Sequence, residues 1–216
     1  MSKHESDVDI LQKILADLPI DWDGRRAICE MKGREFQWRQ MEWAGFYFEM
    51  LCCDRISGNF AIPGAKYGNV EFDCARDINW DMKASAIKTD RHVAILNDID
   101  ATNASVCENG RHGIVMALID VEYNDEDRTF QRWHSELKGG VSEYEQDRIR
   151  RNATSRYRKT SAKLRQVLFL EITKDNLKHL GMHSQGRNSN GSPRNPKYQM
   201  NIEDTRQFEV DRIDFS

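Results

Sequence analysis

Asp73, Asp81 and Lys83 are the residues of this 216-residue chain whose types and spacing point to chemistry. They lie in "VEFDCARDINWDMKAS", residues 70–85. The segment reads as two strands joined by a polar turn over "ARDIN", with Asp73 on the first strand and Asp81 on the second. Lys83 is two residues beyond Asp81, so both side chains project from one face of the strand. A hairpin turning there brings Asp73 close to Asp81. Two carboxylates converging on one point repel each other unless a cation sits between them. Hard oxygen ligands with room for water suit Mg²⁺. A lysine beside such a metal can orient or help deprotonate an attacking water, and can stabilise charge on a phosphate. Trp80 and Met82 alternate to the opposite side and are expected in the core.

The residues "FD…WDMK" resemble the active-site hairpin of the PD-(D/E)XK nuclease superfamily, in which an Asp on one strand is followed on the next by an acid–X–Lys triplet. Phe72 stands where the family name has Pro, and the strict resemblance covers only about fifteen residues. It implies an α/β, restriction-endonuclease-like fold, a mixed central sheet flanked by helices on both faces. It also implies Mg²⁺ held by Asp73, Asp81 and the Met82 carbonyl, with Lys83 acting on the water, and phosphodiester hydrolysis that leaves 5′-phosphate ends. The superfamily often adds an acidic residue from the helix before the hairpin. Glu35, Glu42 and Glu49 are seven apart and share a helix stripe; Glu42 is the first choice as a catalytic residue and Glu49 the second, against the plain alternative of a solvent face. Asp77 and Glu71 remain alternatives or additions to Asp73.

The elements that must position these residues follow from periodicity. Residues 6–18 predict a helix capped by Ser6, and residues 34–54 a second, largely buried helix. A short helix is expected near Asp98–Asn109. "HGIVMALIDVEY" (112–123) and "KLRQVLFLEIT" (163–173) read as central strands. Residues 128–137 are ambiguous, "KGG" (138–140) breaks the chain, and 142–152 look helical. "DNLKHLG" reads as a helix ending at Gly181, a polar loop follows (182–198), and "YQMNI" is the last strand before an acidic tail. No internal repeat is visible. The expectation is one nuclease domain with a helical part (1–56), a hairpin and sheet core (57–173), and a recognition loop and edge (174–216).

Net charge is −3, but residues 148–165 carry Arg148, Arg150, Arg151, Arg156, Arg158, Lys159, Lys163 and Arg165 and no acidic residue. A local basic stretch in an acidic chain points to a polyanion, the alternative being a solvated helix face. Three segments are candidate DNA contacts. Ser85, Lys88, Arg91 and Asn97, with Thr89, lie just beyond the catalytic strand, where they can meet phosphates. Lys138, placed before Gly139 and Gly140 with free backbone amides, leads to a groove lined by Arg151, Arg156, Arg158 and Lys159 with Tyr144 and Tyr157 interleaved. Gln185, Arg187, Asn188, Asn190 and Arg194 are of the types that read base edges; plain solvated flexibility is the alternative for that loop.

Other chemistries are excluded by motif. There is no GxxxxGK[ST] and no GxSxG. The six histidines have no ligand-spaced partners, so zinc is not expected, although His134 and His92 are candidate general bases. Five cysteines without a CxxC suit a reducing compartment. No apolar run reaches the roughly 18–20 residues of a membrane span, and the charged N-terminus lacks a secretory pattern. The expected protein is therefore a cytoplasmic, Mg²⁺-dependent, site-specific endonuclease of double-stranded DNA. A homodimer would match a palindromic site, and a DNA methyltransferase of the same specificity would accompany it. The rivals are a structure-selective or repair nuclease, a non-catalytic DNA-binding protein, and a metabolic α/β enzyme.

Overall fold

A computed structural model describes residues 5–63, 72–88, 92–153, 157–186 and 191–216. Helix α1 (Asp7–Leu15) starts at Ser6, whose hydroxyl accepts from the Asp9 N–H while the Asp9 carboxylate accepts from the Ser6 N–H. The short strand β1 (Asp21–Asp23) leads into α2 (Gly24–Gly33), and α3 spans Trp43–Ile56. The helix expected over 34–54 thus starts only at Trp43 and runs to Ile56. Glu35 (φ 57°) and Gln37 (φ 41°) take left-handed backbone, which no helix tolerates. In the turn over 34–42, Phe36 and Trp38 are half-buried and pack against the core, while the charged residues stay exposed.

Next come β2 (Cys74–Ala75), β3 (Asn79–Ala86), β4 (Val93–Asp98), α4 (Ile99–Asn109) and β5 (Arg111–Glu122). The chain continues through α5 (Thr129–Leu137), α6 (Glu143–Arg150), β6 (Ser161–Thr173), β7 (Gly181–His183), β8 (Lys197–Asn201) and β9 (Glu209–Asp214). The helix expected at "DNLKHLG" shrinks to one 3₁₀ turn, Leu177–His179. The expected acidic tail forms β9, an edge strand in which four of six residues are charged, a composition that discourages stray strand pairing.

The main sheet runs β1-β6-β5-β3-β2, with β9 also on β6; β3 and β5 are parallel and the other pairs antiparallel. Strands from the first and last parts of the chain therefore share the sheet of the middle part. A second sheet has the order β4-β8-β7. Parallel pairing of β3 with β5 requires a crossover, and residues 87–110 supply it with β4 and α4.

Two cores lie on the two faces of the main sheet. Leu11, Leu15, Ile28, Met31, Trp43 and Phe48 pack from α1, α2 and α3 onto Trp80, Met82, Val115 and Phe169. On the other face, Ile114, Met116, Leu168 and Leu170 meet Val106 of α4 and Ala94, Leu96 and Met200 of the second sheet. The expectation of helices on both faces is corrected here, because the second face is shared between a helix and a small sheet. No helix among the described residues is long and apolar enough to cross a membrane.

Two contacts set the position of β3. A Cβ on Gly113 would stand 2.3 Å from the Trp80 ring, so the indole lies directly on the β5 backbone. The buried Asp7 carboxylate accepts from Arg76 Nη1 (2.9 Å), Asp77 N (3.1 Å), Ile78 N (3.3 Å) and Trp80 Nε1 (2.9 Å). Removing one partner of a buried, hydrogen-bonded charge typically costs about 3–5 kcal/mol. Asp7→Ala is accordingly expected to lower the urea unfolding free energy by about 3 kcal/mol, and Gly113→Ala by about 1–3 kcal/mol through overpacking; a loss under about 0.5 kcal/mol for Asp7→Ala would show that the clamp does not hold the hairpin.

Candidate metal and phosphate site

The hairpin of β2 and β3 delivers the three residues singled out by their spacing. The Asp73 N–H donates to the Trp80 carbonyl (3.0 Å), and Asp73 Oδ2 accepts from the Met82 N–H at 2.6 Å. Both backbone groups of a strand residue point to the same edge, so the Met82 carbonyl is directed to the Asp73 side of β3. Strand β2 pairs only with Asn79 and Trp80, and among the described residues no strand pairs with this edge beyond it. Asp81 stands level with Ile114 of β5 and faces the second core; its side chain is 2% exposed. Lys83 Nζ lies 3.7 Å from Asp81 Oδ1, with a quarter of its side chain exposed.

Of the two helical carboxylates, it is Glu49 and not Glu42 that stands near the hairpin residues. Helix α3 packs on β3, and Glu49 feels the charges of Asp73, Lys83 and Asp81. Glu42 sits at the N-terminal boundary of α3, 65% exposed, and its carboxylate holds Lys159 at 2.5 Å. The helix begins only at Trp43, so the stripe expected from Glu35 onward is lost. Asp77 belongs to the turn: its N–H donates to Asp7 and its carboxylate pairs with Arg76. Glu71 lies outside the described residues.

Two groups at the site were not foreseen. His112 Nε2 is 2.8 Å from Asp81 Oδ2, and His112 Nδ1 is 3.1 Å from Ser105 Oγ, which accepts from Asn79 Nδ2 at 3.2 Å. This chain puts the ring proton on the Asp81 side, although the ring N–H is out of line with Oδ2 and the oxygen keeps capacity for another partner. Asn97, expected on phosphates, instead hydrogen-bonds Asp81. The only hint of His112 in the sequence is its place at the head of the apolar strand; nothing local ties it to Asp81.

Electrostatics at the site are unbalanced. Burial works to raise the Asp81 carboxyl, but Lys83, His112 and Asn97 outweigh it and hold it below the usual carboxylate range. Burial raises Asp73, with Lys83 opposing. Burial works against the charge on Lys83, yet Asp81, Asp73 and Glu49 together raise its pKa. Glu49 is pushed up to about 8 by burial and by Asp73. One ammonium thus faces three carboxylates, and Glu49 takes a proton at neutral pH. Burial also pushes the neighbouring Cys53 thiol up to about 12, so it does not act as a thiolate there.

A hard divalent cation fits this donor set. Asp73, Asp81, Glu49 and the Met82 carbonyl offer oxygen only, Asp81 Oδ2 is buried with capacity to spare, and a cation would offset the burial and the carboxylate repulsion that raise Glu49. Among the described residues no group of three or more His, Cys, Asp or Glu side chains is arranged so that it could hold a metal ion by itself. Mg²⁺ commonly uses one or two carboxylates and keeps several waters.

The expected DNA contacts fare unevenly. Ser85 is buried on the face of Asp81 and Lys83, and Lys88 is exposed just after β3. Arg91, Arg156, Arg187, Asn188 and Asn190, with Thr89, lie outside the described residues. Gly139 and Gly140 are not free to hold a phosphate, because their N–H groups donate to Glu136 and Ser135 at the end of α5. Lys138 is half-buried beside Arg158 and Arg39, and burial lowers its pKa.

Half of the cations of the basic stretch pair with carboxylates of the chain. Lys159 pairs with Glu42, Arg148 with Glu145, Arg150 with Asp147 and Arg165 with Asp120. Arg151 is exposed and its Nε donates to the Asp147 carbonyl. Arg158 is half-buried, with a buried Nη1 that has no hydrogen-bond partner, and the exposed Tyr157 ring is covered by Arg128. In the polar loop, Gln185 Nε2 donates to the Asn195 carbonyl and the Arg194 N–H to Gly186, which closes the base of the loop. His134 is buried against the Trp38 carbonyl, with its pKa lowered to about 4 by burial. His92 pairs with Glu203. Neither histidine joins the carboxylate cluster.

No protein-family model, no curated protein and no solved structure matches this chain.

The raised Glu49 pKa has a stability consequence. Between its unfolded pKa near 4.3 and about 8, the folded state binds more protons than the unfolded one, so stability falls as pH rises through that window. Glu49→Gln is expected to remove this slope and to be the more stable protein above pH 8 in EDTA, by about 1–3 kcal/mol. Urea unfolding from pH 5 to 9 checks it; parallel pH profiles for both proteins would refute the placement of Glu49.

Proposed function

We propose that this chain is a Mg²⁺-dependent endonuclease of double-stranded DNA, of the site-specific type II restriction kind, built on a PD-(D/E)XK-like arrangement. One observation carries the reading: Asp73, Asp81 and Lys83 come together at the β2 side of β3, with Glu49 brought to them by α3. The combination of clustered carboxylates with a lysine whose charge they favour is suited to phosphodiester hydrolysis.

When bound there, Mg²⁺ supplies a water of lowered pKa and neutralises phosphate charge. Asp73, Asp81 and the Met82 carbonyl would hold it, and Glu49, charged once the cation is near, would hold one of its waters. His112 and Asn97 fix the rotamer of Asp81. Lys83 stands where its ammonium can orient the attacking water and donate to a phosphate oxygen, and hydrolysis of the P–O3′ bond leaves a 5′-phosphate. A homodimer on a palindromic site and a methyltransferase of matching specificity belong to the same proposal. A structure-selective or repair nuclease is the second reading, favoured by the internal pairing of half of the 148–165 cations, which leaves less free charge for a long duplex footprint.

Purified protein incubated with phage DNA and Mg²⁺ is expected to give discrete fragments, and none in EDTA. Lys83→Ala and Asp81→Asn should each slow cleavage by at least about 10²-fold, the scale for loss of one preorganised charged group. Glu42→Gln should stay within about twofold. Cleavage undiminished in Lys83→Ala would sink the reading, and a smear in place of bands would select the second one.

A further inference from the structure

The second sheet, β4-β8-β7, aims polar groups at the carboxylate cluster as well as covering the apolar face of β3 and β5. The β4–β8 register slips between Ile95 and Asp98. A bulge of this kind re-aims side chains; here Leu96 goes into the core while Asn97 goes to Asp81. On the partner strand Lys197 stands opposite Asp98, and the preceding Pro196 carbonyl accepts from the Ile99 N–H at 3.1 Å. The strand carrying Lys197 is thereby tied to the start of α4 and to the residue beside Asn97.

Lys197 is half-buried; burial, then Lys83 and Arg194, work against its charge, while Asp98 and Asp81 favour it. No carboxylate lies within 4.0 Å of its ammonium among the described residues. Asp98, its cross-strand neighbour, caps α4 by accepting from the Asp100 N–H at 3.1 Å. Lys83 is matched by three carboxylates, whereas Lys197 adds a second cation to the same neighbourhood with no ion-pair partner. Two partly desolvated ammonium groups brought to one place favour an anion between them. His183 pairs with Lys197 across β7 and β8, which fixes this lysine at the end of the second sheet.

We propose that Lys197 is a second phosphate-binding residue of the centre, contacting a non-bridging oxygen of the scissile phosphodiester from the second sheet while Lys83 acts from the first. This rests on the nuclease reading and extends it to a residue outside the hairpin motif.

The test compares wild type, Lys197→Met and Lys197→Gln on the DNA fragment that the wild type cuts. Single-turnover cleavage is measured in Mg²⁺, duplex binding in Ca²⁺, and folding by urea denaturation. Both variants are expected to bind the duplex within about threefold of wild type and to cut it on the order of 10²-fold more slowly. A folded variant cutting within threefold of wild type overturns the role. If Lys197→Met does not fold, Lys197→Gln, which keeps the polar tip, decides by the same threshold; failure of both to fold overturns the role in favour of a structural lysine. A wild-type protein that leaves DNA uncut overturns the nuclease reading and this role together, whereas an active wild type with active variants overturns only this role.

Discussion

The Asp7 carboxylate is the contact on which the catalytic hairpin depends. Four donors from the β2–β3 turn and from Trp80 converge on it, and it lies at the first turn of α1, where the helix dipole favours negative charge. A buried carboxylate is tolerated only when its lone pairs are filled, so this geometry fixes the turn and the Trp80 ring at once. Trp80 in turn lies on Gly113, which fixes β3 against β5. The level of Asp81 relative to His112 follows from that register. A slip of one residue would send Asp81 and Lys83 to the apolar face and Trp80 and Met82 to the site.

The β2 side of β3 is the second constraint. Strand β2 is two residues long, and beyond it, among the described residues, the Asp73 side chain and not a strand meets the edge. The edge is therefore polar, partly desolvated and reached from both faces: by Glu49 from the helical side, and by Asn97 and Lys197 from the second sheet. Charge there is unbalanced when no metal is present, because burial raises the energy of each carboxylate and Lys83 cannot satisfy three of them. Protonation of Glu49 is the relief available to the protein alone. Perturbed groups that share one small region, on converging elements, are what a site held ready for charged substrate looks like.

Residues 148–165 show how sequence proximity of like charges misleads. Read along the chain they form an uninterrupted cationic run. In the fold, four of those cations face carboxylates contributed by Glu42, Asp120, Glu145 and Asp147, two of them distant in sequence. The same folding consumed the Gly139 and Gly140 amides, because the last turn of a helix leaves carbonyls that take up such donors.

Alternation and local chemistry were sufficient to read the hairpin, the two long central strands, the Ser6-capped helix and the helix after Asp98. Each is set by contacts within a few residues, or by a periodicity that survives any packing. They were also sufficient to single out Asp73, Asp81 and Lys83, since a two-residue spacing on a strand is itself a statement about faces. The choice of Glu49 over Glu42 was out of reach, because their seven-residue spacing reads as one stripe and only the true start of α3, past the left-handed Glu35 and Gln37, takes Glu42 off the helix. His112, Ser105, Asn97 and Lys197 were equally hidden. They come from four separate elements, and nothing short of the β3–β5 register, the bulge in β4 and the pairing of β4 with β8 brings them to Asp81. The sequence by itself determined which residues have the chemistry; the tertiary structure decided which of them meet, because ion pairing and burial depend on distances that the local pattern does not encode.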